Sequence, residues 1–363
     1  MELKLALGEC SGSFDMEKAV CNHGLFMMSP NVWIPSTKSL RRPLRLADSN
    51  RSVLVTISHP PNQSFLVIQA DASLSSSADE AAILKKVGRM LRISKKEERD
   101  VREFQTMHSL AKERGFGRIF RSPSFFEDAV KSLLLCNCGW KRTLDMAKAL
   151  CNLQREIALD NGKARSKRKR STKKCRSSEC IANFPTWKEL VCWARVDAQY
   201  LEERCNIGYR AAPILRLVLM FANGKLDEDE ITKLEQSSDP TAFQSLYQKL
   251  LGIKGFGPFV CSNILMCAGF YQRIPSDTET IRHLKQVHGK GNCSNNTIAK
   301  DVEEIYGNMI HFNVWPTGDE TTLLCSYKFR MELVEEYESK SGKLSEPDAS
   351  SYHLVTGSLF RDK

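Results

Sequence analysis

Residues 253–277 read IKGFGPFVCSNILMCAGFYQRIPSD, and this stretch constrains the chain more than any other. Gly255 and Gly257 flank Phe256, with apolar helical sequence on either side. Glycine admits positive φ and leaves the neighbouring amides uncovered. A helix starting there turns its first N–H groups and the positive end of its dipole outward, a fit for one phosphate. A lone G-x-G also serves ordinary helix–helix connections, so the turn by itself leaves both readings open. The unit ends on Ser276-Asp277, and the following Thr278-Glu279-Thr280 opens another helix for which Asp277 is a favoured N-cap.

The rest of the chain sets this unit in context. Its 363 residues leave room for two or three compact units. Between residues 25 and 71, SVLVTISH and SFLVIQAD are β-branched and aromatic runs separated by PPNQ, which predicts a hairpin, and NVWIPS and RPLRL add strands. SLSSSAD then caps a helix in which Ile83, Leu84, Val87, Met90 and Leu91 recur at helical spacing. From there the pattern is almost wholly helical, with Gly224 expected to close the helix in PILRLVLMFANG. The expectation is an α+β protein: a small N-terminal antiparallel β-sheet domain over 1–75, a mainly helical body over 76–340 and a disordered tail over 341–363. No run of 18 apolar residues occurs, so no membrane span is expected. Glu2, Glu9, Asp15 and Glu17 argue against an N-terminal leader.

Charge and cysteine usage narrow the class further. The net charge is +10, but KARSKRKRSTKK at 163–174 holds eight Lys or Arg and no acid, and the remainder carries only +2. The run is read as a solvated loop within 162–180, serving as a nuclear localisation signal in preference to a non-specific phosphate contact. The 13 cysteines are odd in number and mostly in apolar stretches, the pattern of reduced intracellular thiols. Cys136/Cys138 and Cys175/Cys180 have no second pair at zinc spacing, so no metal site is expected.

The wider stretch resembles a known motif. Leu251, Ile253-Lys254-Gly255-Phe256-Gly257 and Phe259-Val260-Cys261, followed by Gly269 to Asp277, are similar to the helix-hairpin-helix and Gly/Pro–Asp loop of the HhH-GPD DNA glycosylase superfamily. GFGRIFRSPSFFEDAVKSLLLCNC resembles the opening helix of that body, and Ile207-Gly208-Tyr209-Arg210-Ala211 a turn–helix element of its alkyladenine and oxoguanine branches. The resemblance covers roughly residues 25–340 and is strongest at 248–284. It implies a mainly helical HhH-GPD glycosylase body with a small N-terminal sheet.

What the resemblance implies for function follows residue by residue. Asp277 takes the catalytic role: a carboxylate against an oxocarbenium-like sugar stabilises it and orients or deprotonates water. The N-cap role is compatible with this, since a cap fixes the carboxylate's direction. Gly255, Phe256 and Gly257, with Lys254 and Phe259, are expected at the DNA backbone. Lyase members carry a nucleophilic Lys where Phe259 stands, so the reaction is expected to use water and leave the strand uncut. Phe259 is either an aromatic face for a cationic alkylated purine or a packing residue. The oxoguanine branch has a His where Glu279 stands, which favours alkylated purine over oxidised purine. The loop Asn137 to Arg142 lies where the family fills the gap left by a flipped base. Trp140 is there as a stacking residue or a core Trp, with Lys141 or Arg142 at a phosphate. Tyr209 and Arg210 are either packing and cap or pocket contacts. Only Cys293 and Cys325 follow Asp277, too few for the iron–sulfur cluster of some relatives. The implied partner is double-stranded DNA with a damaged base, acted on by a nuclear monomer without cofactor, a monovalent cation at the hairpin apart. The rival is a non-catalytic DNA-binding protein that kept the hairpin.

Overall fold

The computed structural model describes residues 1–306 except 23, 49–50, 108–111, 114, 166–181, 193–196, 238–239, 272, 274 and 287. The basic run from 166 onward, the last expected helix and the C-terminal tail lie outside the described residues. The strands β1 (Glu2–Ala6), β2 (Val32–Ile34), β3 (Ser39–Arg45), β4 (Ser52–Ser58) and β5 (Phe65–Ala70) form one antiparallel sheet in the order β1-β5-β4-β3-β2. β4 and β5 are the hairpin expected from PPNQ, with Ser58 opposite Val67 and Val55 opposite Ala70. Their alternation places Val55, Ile57, Leu66 and Ile68 on the buried face, where α1 (Met16–Val20) and α2 (Ser77–Met90) pack against neighbouring strands. Ser76 caps α2 by accepting from the Asp79 N–H, and Ile83, Val87 and Met90 form its buried stripe.

The helical body contains α3 (Lys95–Met107), α4 (Phe125–Leu134), α5 (Trp140–Arg165), α6 (Trp187–Cys192), α7 (Ala198–Cys205), α8 (Ala211–Ala222), α9 (Glu228–Gln236), α10 (Pro240–Leu251), α11 (Pro258–Ala268), α12 (Thr278–Gln286) and α13 (Ile298–Tyr306). The fold is α+β, mostly helical, with the sheet at the N-terminus. Every residue of α4 is buried, and the helix lies against α11. Sheet and helices share one contiguous apolar core that runs from Leu3 to Phe270. Arg42 of β3 joins the two layers: its guanidinium holds Glu127 of α4 at 3.0 Å, while Lys131 one turn on reaches the same carboxylate at 2.7 Å. No described helix is long and apolar enough to cross a membrane.

Candidate functional site

α10 and α11 form the expected helical hairpin, and its two glycines do different jobs. Gly255 has φ +102°, and a Cβ there would stand 2.4 Å from Pro213 Cγ at the start of α8. Only glycine satisfies both the left-handed backbone and that approach. Gly257 is the N-cap of α11 at φ −95°, ψ 175°, with no side-chain cap, and a Cβ there would meet nothing within 4 Å. It therefore keeps the first amides of α11 open on the outer side of the turn. Arg216 of α8 donates to the Lys254 carbonyl at 2.9 Å, and the Phe256 N–H closes the turn on the Ile253 carbonyl at 2.9 Å. Arg216 escaped the sequence reading because its relation to the hairpin spans 38 residues.

The expectations at the hairpin divide by burial. Lys254 is exposed, and Lys141, Arg142 and Lys254 have no carboxylate partner among the described residues. Phe259 is half-buried and packs against the core. Phe256 is 5% exposed and its ring belongs to the core, so only its main chain is open to the DNA backbone expected at the hairpin.

α8 also links the hairpin to the loop between α4 and α5. Gly208, at φ +56°, starts the short turn that carries Tyr209 and Arg210 into α8. Tyr209 is 55% exposed, and its hydroxyl accepts from Asn137 Nδ2 at 3.2 Å. Arg210 lies over the Tyr209 ring at 4.7 Å and donates to the Cys136 and Ile207 carbonyls. It is 2% exposed, which favours the packing alternative over a DNA contact: it is the strut between turn and loop. For Trp140, burial favours the core alternative over stacking in the duplex. At the start of α5 its indole is 3% exposed in the core, leaving no face to stack in a duplex. The exposed residue at the loop's tip is Asn137, at φ +48°. The sequence reading named the loop without singling it out, although Asn at a Cys-Gly-rich turn is a signal for the left-handed backbone. Lys141 and Arg142 are exposed beside it, and Arg142 Nη2 would stand 3.6 Å from a Cβ on Gly208.

Asp277 stands at the head of α12, half-buried. Its Oδ1 accepts the Thr280 N–H at 3.0 Å and the Thr280 hydroxyl at 3.1 Å, while the Asp277 N–H donates back to Thr280 Oγ1 at 3.2 Å. This reciprocal cap fixes the direction of the carboxylate. Burial pushes the Cys136 thiol up to about 12, and the nearby Asp277 charge adds to the rise while Arg210 opposes it. Burial likewise pushes Cys261 up to about 12. Both thiols are neutral, so Cys136 adds no thiolate charge near Asp277. The side chain of Glu279 lies outside the described residues.

The described residues bring together an exposed amide and phenol, cations without a carboxylate partner among them, an open helix end at α11 and a capped carboxylate at α12. No family model matches the sequence. No curated protein matches it in sequence either. Solved structures match it in fold. The 3-methyladenine DNA glycosylase from Archaeoglobus fulgidus is 16% identical with a TM-score of 0.54, over 91% of this chain and 98% of that one. MBOgg1 in complex with a low-affinity DNA ligand is 16% identical with a TM-score of 0.56, over 94% and 96%. The Clostridium acetobutylicum 8-oxoguanine glycosylase/lyase, bound to double-stranded DNA with cytosine opposite 8-oxoguanine, is 16% identical with a TM-score of 0.52, over 89% and 93%.

Proposed function

From a chain that has the fold of these DNA glycosylases over nearly its whole length, we propose a monofunctional DNA glycosylase of base excision repair, acting on alkylated purines in nuclear DNA. The observation that carries the reading is Asp277: a carboxylate locked by its cap at the head of α12, 20 residues after Gly257 and beside the loop that Asn137 and Tyr209 expose. The open end of α11 with Lys254 takes the DNA backbone, and the target nucleotide turns out of the duplex toward Asp277. The C1′–N bond breaks with its electron pair leaving on the base. The carboxylate stabilises the cationic sugar and takes a proton from the water whose oxygen adds to C1′. The products are the free base and an abasic sugar. A base that already carries positive charge leaves as a neutral molecule. The half-buried Phe259 ring offers an aromatic face to such a base, which favours it over a neutral one. An oxidised purine is the second reading, supported by the 8-oxoguanine glycosylase likeness. A non-catalytic binder that kept the hairpin is the third.

No lysine stands at the Phe259 position, so the proposed nucleophile is water. The carbonyls of Lys254 and Ile253 each accept one hydrogen bond, from Arg216 and the Phe256 N–H, and keep a second lone pair with which a hairpin cation would be held; the proposed reaction requires none.

The test is base release from duplexes carrying one 3-methyladenine, one 8-oxoguanine or an undamaged purine. The parent protein releases the alkylated base and leaves a site that is cut only by later alkali, and borohydride traps no covalent adduct. Asp277→Asn lowers release by at least a hundredfold while lesion-duplex affinity stays within threefold. Equal release by parent and variant removes Asp277 from the mechanism, and a trapped adduct overturns the monofunctional reading.

A further inference from the structure

We infer that Arg92, remote from Asp277 in sequence, is a positioning residue for it, acting on the loop between α11 and α12; this rests on the catalytic reading of Asp277 above. Arg92 follows α2 in a left-handed conformation, φ +53°, that side chains adopt rarely. The turn directs its guanidinium into the interior, where it is 1% exposed. There Nη1 donates to both Glu97 oxygens at 3.1 and 3.0 Å, Nε donates to the Ile119 carbonyl, and Nη2 donates to the Met266 and Cys267 carbonyls at 2.9 and 3.0 Å. Those two carbonyls belong to the last turn of α11, whose orphan acceptors and negative dipole end suit a cation. Arg121 repeats the device, donating to the Cys267 carbonyl at 3.0 Å and to Glu97 at 2.9 Å.

The same guanidinium then reaches the loop. Gly269 ends α11 at φ +94°, and a Cβ there would stand 3.5 Å from Arg92 Nη1. Tyr271 is 2% exposed and lies under the guanidinium with its ring centroid 5.6 Å away. Two further aromatic contacts fix the loop on the other side: Phe270 against Phe243 at 6.3 Å and Arg273 over Tyr247 at 4.6 Å. Asp277 follows six residues after Tyr271. The cap with Thr280 sets the direction of its carboxylate, and the loop anchors set where the head of α12 stands. A fan of donors from one side chain to a helix end, a buried carboxylate and a loop ring is a rigid support that a catalytic group requires.

The test compares Arg92→Lys, Tyr271→Leu and Tyr271→Phe with the parent protein in single-turnover base release, lesion-duplex affinity and amide exchange at Thr280 and Ile281, whose N–H groups bond to Asp277. Lysine keeps the charge beside Glu97 but cannot span its partners. Tyr271→Leu leaves the Arg92–Glu97 pair in place and serves if the arginine variant does not fold. Arg92→Lys and Tyr271→Leu each lower the release rate at least tenfold with affinity within twofold, and speed exchange at both amides about tenfold. Tyr271→Phe, which keeps the ring, stays within threefold of the parent in rate and exchange. Unchanged rates, unchanged exchange, or a loss of affinity as large as the loss of rate overturns the inference. If the parent releases no base from any duplex, the glycosylase reading fails, and exchange alone decides whether Arg92 holds Asp277.

Discussion

Glu127 and Glu97 are carboxylates that the fold cannot afford to protonate. Burial by itself would raise both, but Arg42 and Lys131 around Glu127, and Arg92 and Arg121 around Glu97, outweigh it and hold each near about 2 against an ordinary 4.5. A carboxylate lowered in the folded state stabilises it above the unfolded value and loses that contribution as pH falls toward the folded one. Each group should therefore cost the fold about 2 kcal/mol between pH 5 and pH 3. Urea denaturation at the two pH values checks this: the midpoint drops steeply in the parent and less steeply in Glu97→Gln. Equal slopes would contradict the ion-pair account. At this scale the sequence is legible where the cause is local. Asp277-Thr278-Glu279-Thr280 announces a cap, and the cap is there. Arg42, Arg92 and Arg210 give no such signal, because each also needs a partner 85, 174 or 74 residues away to become interior. Trp140 stayed ambiguous for a related reason: beside two basic residues at a helix start, a Trp fits surface or core, and only the packing turns its indole inward.

At the scale of elements, the hairpin turns on the difference between its glycines. Gly255→Ala meets both a left-handed φ and Pro213, at a cost of about 1–3 kcal/mol or a displaced turn. It should lower the melting temperature and weaken undamaged-duplex binding at least tenfold. Gly257→Ala has a permissive φ and open space, so its melting temperature should stay near that of the parent. Differential scanning calorimetry and fluorescence anisotropy separate the two, and equal melting shifts would show that the Pro213 contact does not fix the turn. Elements with clear periodicity were legible: the β4–β5 hairpin, α2 and the helix ended by Gly224, which has φ +66°. β1 was not. Its sequence ELKLA carries no β-branched or aromatic residue, and its partner β5 lies more than sixty residues later, Leu3 opposite Ile68.

At the scale of the whole molecule, charge separates from fold. Without residues 163–174 the chain is almost neutral, so that run is available for a purpose other than stability. Deleting it should disperse a fluorescently tagged protein from nucleus to cytoplasm while base release persists; an unchanged nuclear image would refute the localisation reading. The helical body and its sheet were readable from the order of periodic segments, whereas their single shared core was not, since nothing in a linear pattern says which apolar faces meet.

The Arg42–Glu127 pair has a consequence for biosynthesis. The strand that carries the cation leaves the ribosome 85 residues ahead of its counter-ion. β5 completes the ribbon 57 residues ahead of Glu127, so at roughly 5–20 residues per second a completed ribbon of strands holds an unanswered charge on its inward side for about 3–11 s. Closure of the nascent N-terminal layer must therefore wait for α4, and the hazard of premature association is greatest in that interval.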